Sequence, residues 1–124
     1  MPSIRVYRSP VSEQSSNFWR GRRVLVTGAS GFVGAAVVRA AVRYGATVHG
    51  TGMSRKAPHP AVHHRAEFPN DAQALIDRVE PDLVVHLAAP VMAGASEEHR
   101  ESLRSGIVDA SLAIAEASGL RGIP

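Results

Sequence analysis

Between Val24 and Gly34 the chain reads Val-Leu-Val-Thr-Gly-Ala-Ser-Gly-Phe-Val-Gly, with glycines at positions 28, 31 and 34. No other segment restricts the fold as strongly. Val24-Leu25-Val26, bounded by Gly21 and Gly28, predicts a buried strand. Phe32 to Tyr44 predicts a helix with Val33, Val37, Ala40, Ala41 and Tyr44 on one face and Gly45 as its stop. Three glycines between a strand and a helix answer three physical demands. Gly28 permits a tight turn, Gly31 removes a Cβ where phosphate oxygens would lie, and Gly34 allows close helix–strand contact. The helix N-terminus offers N–H groups and a positive dipole end, and Ser30 adds a hydroxyl donor. The spacing alone is weak; the strand before and the helix after favour dinucleotide binding over a purely structural turn. A triphosphate loop does not fit, because no Gly-Lys-Ser/Thr follows and the only Lys is Lys56.

The remaining pattern extends this unit. Ala46–Thr51 predicts a second strand, 52–60 a Gly/Ser/Pro-rich loop, and Val62–Ala66 a short third strand. Asn70 with Gln73 three residues on suggests a capping box for a helix that buries Ala72, Leu75, Ile76 and Val79 and stops at Pro81. Leu83–Leu87 predicts a strand and Ala88–Ser96 a loop of small residues. Glu97–Ser118 predicts a long helix with Leu103, Ile107, Ala110, Ile114 and Ala117 at helical spacing, closed by Gly119. Apolar strands alternating with amphipathic helices predict an α/β, Rossmann-type three-layer fold, its parallel sheet of about four strands in the order 3-2-1-4. Residues 1–20, with two Pro, five Ser and no period, predict a flexible tail. Phe18 and Trp19 are expected to pack under the sheet. Residues 21–124 form the domain.

Composition narrows the function classes. The 124 residues suit one domain. The absence of Cys excludes disulfides, Cys-ligated zinc and a thiol nucleophile. No apolar run approaches the roughly 18 residues of a membrane span. Residues 1–19 lack a signal h-region, so a cytoplasmic protein is the expectation. The net charge of +3 hides a basic first half and an acidic second half. The Arg residues are scattered over tail, strand edge and helix rather than clustered with aromatics, which disfavours nucleic acid. His59, His63 and His64 lack a carboxylate or Cys partner, so no metal site is expected. His86 reads as a satisfied structural His. Glu97, Glu98 and Glu101 complement a helix dipole.

Thr27-Gly28-Ala29-Ser30-Gly31-Phe32-Val33-Gly34 resembles the T-G-x-x-G-F-[IV]-G fingerprint of the extended short-chain dehydrogenase/reductases, the NAD-dependent epimerase/dehydratase family. Pro81-Asp82-Leu83-Val84-Val85-His86-Leu87-Ala88-Ala89 resembles that family's P-D-x-V-x-H-L-A-A segment, and Phe18–Val24 is similar to the lead-in of several nucleotide-sugar dehydratases, epimerases and reductases. The resemblance spans about residues 18–120. It implies that Gly28, Ser30, Gly31, Phe32, Val33 and Gly34 line a pyrophosphate. It also implies that Leu87, Ala88 and Ala89 lie along the cofactor ribose. Glu67-Phe68 stands where the family has Asp and an aliphatic residue against the adenine; a solvated loop carboxylate is the other reading of Glu67.

An NAD-preferring site places an acid about 20 residues past the glycines, on the ribose 2′-OH. His49–Lys56 has none. Ser54, Arg55 and Lys56 stand there instead, and a guanidinium suits a 2′-phosphate, so NADP is favoured over NAD. Solvated loop charges are the alternative for Arg55 and Lys56.

The family's chemistry uses a Ser/Thr and a Tyr-x-x-x-Lys pair, in which the cation makes a phenol of pKa about 10 usable near neutral pH. Tyr7 and Tyr44 are followed four residues on by Val11 and Val48, so these 124 residues carry no such pair and no catalytic residue is assigned. Ser105 or Ile107 falls where the family often has a structural Asn. Gly119–Pro124 resembles the turn into a fifth strand, the sequence stopping before it. The expectation is an incomplete cofactor-binding half of a nucleotide-sugar oxidoreductase, inactive alone and able to meet a nucleotide sugar only with a second half. A non-catalytic or partner-dependent binding module, or a truncated remnant, is the alternative. The edge of the Leu83–Leu87 strand would then invite a second copy or another chain.

Overall fold

The structure, a computed structural model, describes residues 17–52, 56–88 and 96–124. Seven elements follow in order: β1 (Arg23–Thr27), α1 (Phe32–Arg43), β2 (Thr47–Thr51), β3 (Val62–His64), α2 (Ala72–Val79), β4 (Leu83–His86) and α3 (Glu97–Leu120). The four strands form one sheet, ordered β3-β2-β1-β4, and every pair is parallel. Leu25 of β1 stands opposite His49 of β2 and Val84 of β4.

Alternation along β1 explains the layers, because successive side chains leave opposite faces of a strand. Val24 and Val26 join Val38 and Ala41 of α1 with Val48 and Ala57; Trp19, Leu83 and Val85 pack against this cluster. Leu25 points the other way, into Leu75, Ile76 and Val79 of α2 and Ala117 of α3, with Val84, Phe68 and Ile123 alongside. A sheet buried on both faces needs apolar residues at every position, which is why Val24-Leu25-Val26 does not alternate with polar residues.

Several local expectations need correction. The buried face of α1 is Gly34, Val38 and Ala41, with Val37 and Val42 partly covered, whereas Val33 is 58% exposed and Ala40 is also exposed. The helix is turned about one position from the expected face, because Gly34, not an apolar side chain, makes its closest approach. Asn70 does not cap α2. Asp71 holds the N-cap position without a side-chain cap bond; its carboxylate accepts from the Glu67 N–H at 2.7 Å, and Gln73 donates to Asp77 instead. α3 runs past Gly119. It closes at Arg121 and Gly122, the latter at φ +65°, where Ile123 N–H donates to the Ser118 carbonyl. Trp19 packs on the core, but Phe18 is exposed, stacked edge-on to Trp19 and covered by the Arg22 guanidinium. Residues 1–16 of the expected tail lie outside the described residues, and 17–19 form a helical turn. On the outer side of β4 the Val84 N–H already donates to the Pro124 carbonyl at 2.9 Å, so that edge is partly occupied.

Candidate functional site: the glycine turn at the carboxyl end of the sheet

In an open α/β sheet, ligands sit beyond the carboxyl ends of the strands, where neighbouring strands send the chain in opposite directions. Here that point lies between β1 and β4. The chain leaves β1 through Gly28, Ala29, Ser30 and Gly31 and enters α1. The three glycines meet different surroundings. Gly28 has φ +69°, a conformation that L side chains rarely adopt. A Cβ there would also lie 2.9 Å from the backbone of Leu87 and Ala88. At Gly34 a Cβ would stand 1.9 Å from the Gly28 carbonyl oxygen and 2.9 Å from the Ala29 Cα. The close contact is thus with the turn's own backbone. At Gly31, φ is −74° and a Cβ would meet only the Gly28 carbonyl oxygen, at 3.4 Å. Space above Gly31 is open.

The helix end beside that space is bare. Gly31 is the N-cap of α1, no side chain caps it, and the first turn holds no acidic residue. The first N–H groups of a helix have no intrahelical acceptor. An anionic group therefore fits this end both electrostatically and sterically. Phe32 is 97% exposed and Val33 is exposed as well, so neither side chain is packed over the turn.

Two other walls fix the turn. Ala29 is fully buried; its N–H donates to the Thr51 carbonyl at 2.8 Å, and the Gly28 N–H reaches Thr51 Oγ1. Gly50 makes that burial feasible, since a Cβ there would stand 2.6 Å from the Ala29 Cβ and 2.9 Å from that of Ala57. Towards β4, the buried Thr27 Oγ1 accepts from the Leu87 N–H at 3.0 Å and the Ala88 N–H at 3.1 Å, and lies 2.6 Å from His86 Nδ1. The Leu87 N–H also reaches the Thr27 carbonyl at 3.2 Å, and β4 itself ends at His86, one residue short of the expected Leu87. The His86 ring meets Phe68 edge-on at 6.1 Å, and burial holds its pKa below the ordinary imidazole value.

The structure thus brings together Gly28, Gly31, Gly34, Leu87 and Ala88, with Phe68 one ring away. Glu67 is exposed on the adjoining loop. Ser54, Arg55 and Ala89 lie outside the described residues. Thr27, Gly50, Thr51 and His86 complete the turn; only Thr27 and His86 carried a sequence signal, as members of the two motifs. Elsewhere, His49 Nδ1 and His64 Nε2 lie 2.9 Å apart with stacked rings, and His63 Nδ1 accepts from the Ala57 N–H. Among the described residues no three His, Cys, Asp or Glu side chains are grouped to hold a metal, and no helix is long and apolar enough to cross a membrane.

Comparisons with known proteins converge on this architecture. The epimerase of Methanothermobacter thermautotrophicus superposes with a TM-score of 0.78 at 21% identity, over 93% of this chain and 37% of that one. A UDP-glucose 4-epimerase of Thermotoga maritima, solved with UDP-glucose, gives 0.71 at 23% identity, over 82% and 35%. One from Thermus thermophilus, in complex with NAD, gives 0.71 at 24%, again over 82% and 35%. The chain thus spans about a third of the length of each. No curated protein sequence matches. The sequence profile of the NAD dependent epimerase/dehydratase family matches residues 24–124, beginning in β1 and taking in every later element. The chain belongs to the NAD-dependent epimerase/dehydratase family.

Proposed function

We propose that residues 21–124 bind a dinucleotide at the glycine turn, as the cofactor-binding portion of an epimerase, dehydratase or reductase acting on a nucleotide sugar. One observation carries the reading: the open space at Gly31 faces an uncapped, acid-free helix end. The family match and the NAD-bound solved structure of similar fold support it. The diphosphate would take N–H bonds from the start of α1, with Ser30 as a hydroxyl donor. Leu87, Ala88 and Ala89 would border the ribose, and Glu67 and Phe68 the adenine. When bound, nicotinamide supplies a hydride acceptor and donor; this chain's residues bind and orient it. No Tyr-x-x-x-Lys pair is present to move the substrate proton.

NADP is the preferred cofactor in this reading, because Ser54, Arg55 and Lys56 replace the acid that would hold a 2′-OH and repel a 2′-phosphate. Calorimetric titration with NADP and NAD tests both levels. Binding of either supports the site. Arg55→Ala should weaken NADP selectively, and equal losses for both cofactors would refute the 2′-phosphate assignment.

A second reading is a non-catalytic or partner-dependent dinucleotide-binding module, for which the outer edge of β4, beyond the Val84–Pro124 bond, offers a pairing surface. Size-exclusion chromatography separates the two: a clean monomer that binds cofactor argues against dependence on a partner.

A further inference from the structure

We propose that His86 is a positioning residue for the glycine turn that works only as a neutral imidazole accepting through Nδ1, so that dinucleotide affinity falls as the pH drops below neutrality. The inference rests on the dinucleotide reading above and adds a regulator to it. A hydroxyl has two acceptor lone pairs and one proton. The Leu87 and Ala88 N–H groups occupy both lone pairs of Thr27 Oγ1. The hydroxyl proton is then left for His86 Nδ1, 2.6 Å away. An imidazolium carries N–H on both ring nitrogens, so it would set donor against donor. To escape, either the ring leaves or Thr27 rotates and releases Leu87 and Ala88. Those two residues form the backbone wall against which Gly28 is packed without room for a Cβ.

Among the described residues, the surroundings offer the imidazolium no compensating charge. Phe68 presents its ring edge. On β1, Arg23 lies at the opposite end and donates to the Val79 carbonyl. Glu67 and Asp71 flank Phe68, and the Asp71 carboxylate is engaged by the Glu67 N–H. Along α3 and its cap, Asp109 and Glu116 are exposed and Arg121 pairs with Asp77 of α2. None of these charges shifts His86, whose titration is displaced by burial alone.

The test is calorimetric titration of the 124-residue chain with NAD+ between pH 7.5 and 5.0. NAD+ is the probe because a 2′-phosphate itself titrates near pH 6. The wild-type Kd should rise about fivefold across that range, the weight of one net hydrogen bond. His86→Asn offers an amide oxygen close to the Nδ1 position and cannot titrate. Its ratio of Kd values at the two pH limits should stay within about twofold, the loss of that one hydrogen-bond switch. A flat wild-type profile, or the full acid loss retained by His86→Asn, would overturn the inference. Failure of NAD+ to bind even at pH 7.5 would instead remove the dinucleotide reading, and this inference with it.

Discussion

Gly28, Gly31 and Gly34 share one motif but fail differently when substituted. Gly34→Ala drives a methyl group into the Gly28 carbonyl, an overpacking that should cost about 1–3 kcal/mol. Gly31→Ala meets open space at an ordinary φ, so its cost should stay near the roughly 1 kcal/mol separating N-cap residues. The same methyl would occupy the space assigned to phosphate oxygens, and NAD+ affinity should fall at least about tenfold, or about 1.4 kcal/mol. Thermal melts and titrations on the two variants check this contrast. If Gly31→Ala bound NAD+ like the wild type, phosphate would not lie there. The turn at Gly28 and the close approach at Gly34 were legible in sequence because both are demands on local backbone. The roles of Thr27 and His86 were not, since their partners lie about 60 residues apart along the chain. Gly50 was hidden for the same reason: what requires it is Ala29 on another strand's loop.

At the scale of elements, the order and type of the seven elements among the described residues followed from apolar runs and glycine punctuation. Their faces and ends followed less well. A hydrophobicity pattern counts Val33 as core and Gly34 as nothing, yet Gly34 is the buried contact. Asn70 met the sequence rule for a cap, but the chain turned one residue later and gave Asp71 to the Glu67 N–H. Pairing of β2 with the three-residue β3 adds a pH dependence. Burial holds His49 and His64 below the ordinary imidazole value of about 6.5, as it does His86. The unfolded chain therefore takes up protons at higher pH than the folded one. The stability these residues contribute is complete well above pH 6.5 and is lost as the pH falls through 6.5 towards their folded values. Thermal melts should shift down between about pH 7.5 and 5.5, and a melting temperature independent of pH would contradict the assignment. The Arg121–Asp77 pair linking α3 to α2 is 2.9 Å long but exposed on both sides. Arg121→Ala should cost no more than about 1 kcal/mol in denaturant unfolding.

For the whole molecule, the fold and family were readable because the two motifs lie on adjacent strands, β1 and β4, and converge on one end of one sheet. Substrate choice was not readable, since the chain spans about a third of the length of the solved structures of similar fold. A polypeptide of these 124 residues should bind the cofactor yet show no turnover of a nucleotide sugar, because no Tyr stands four residues before a Lys. Turnover in a coupled assay would refute that expectation. Backbone amide resonances followed during titration with NAD+ report directly on whether the glycine turn is the dinucleotide site. The largest shifts should fall at Gly31, Phe32 and Val33, with Leu87 and Ala88 moving alongside. Shifts confined to other parts of the sheet, or none at saturating NAD+, would contradict it.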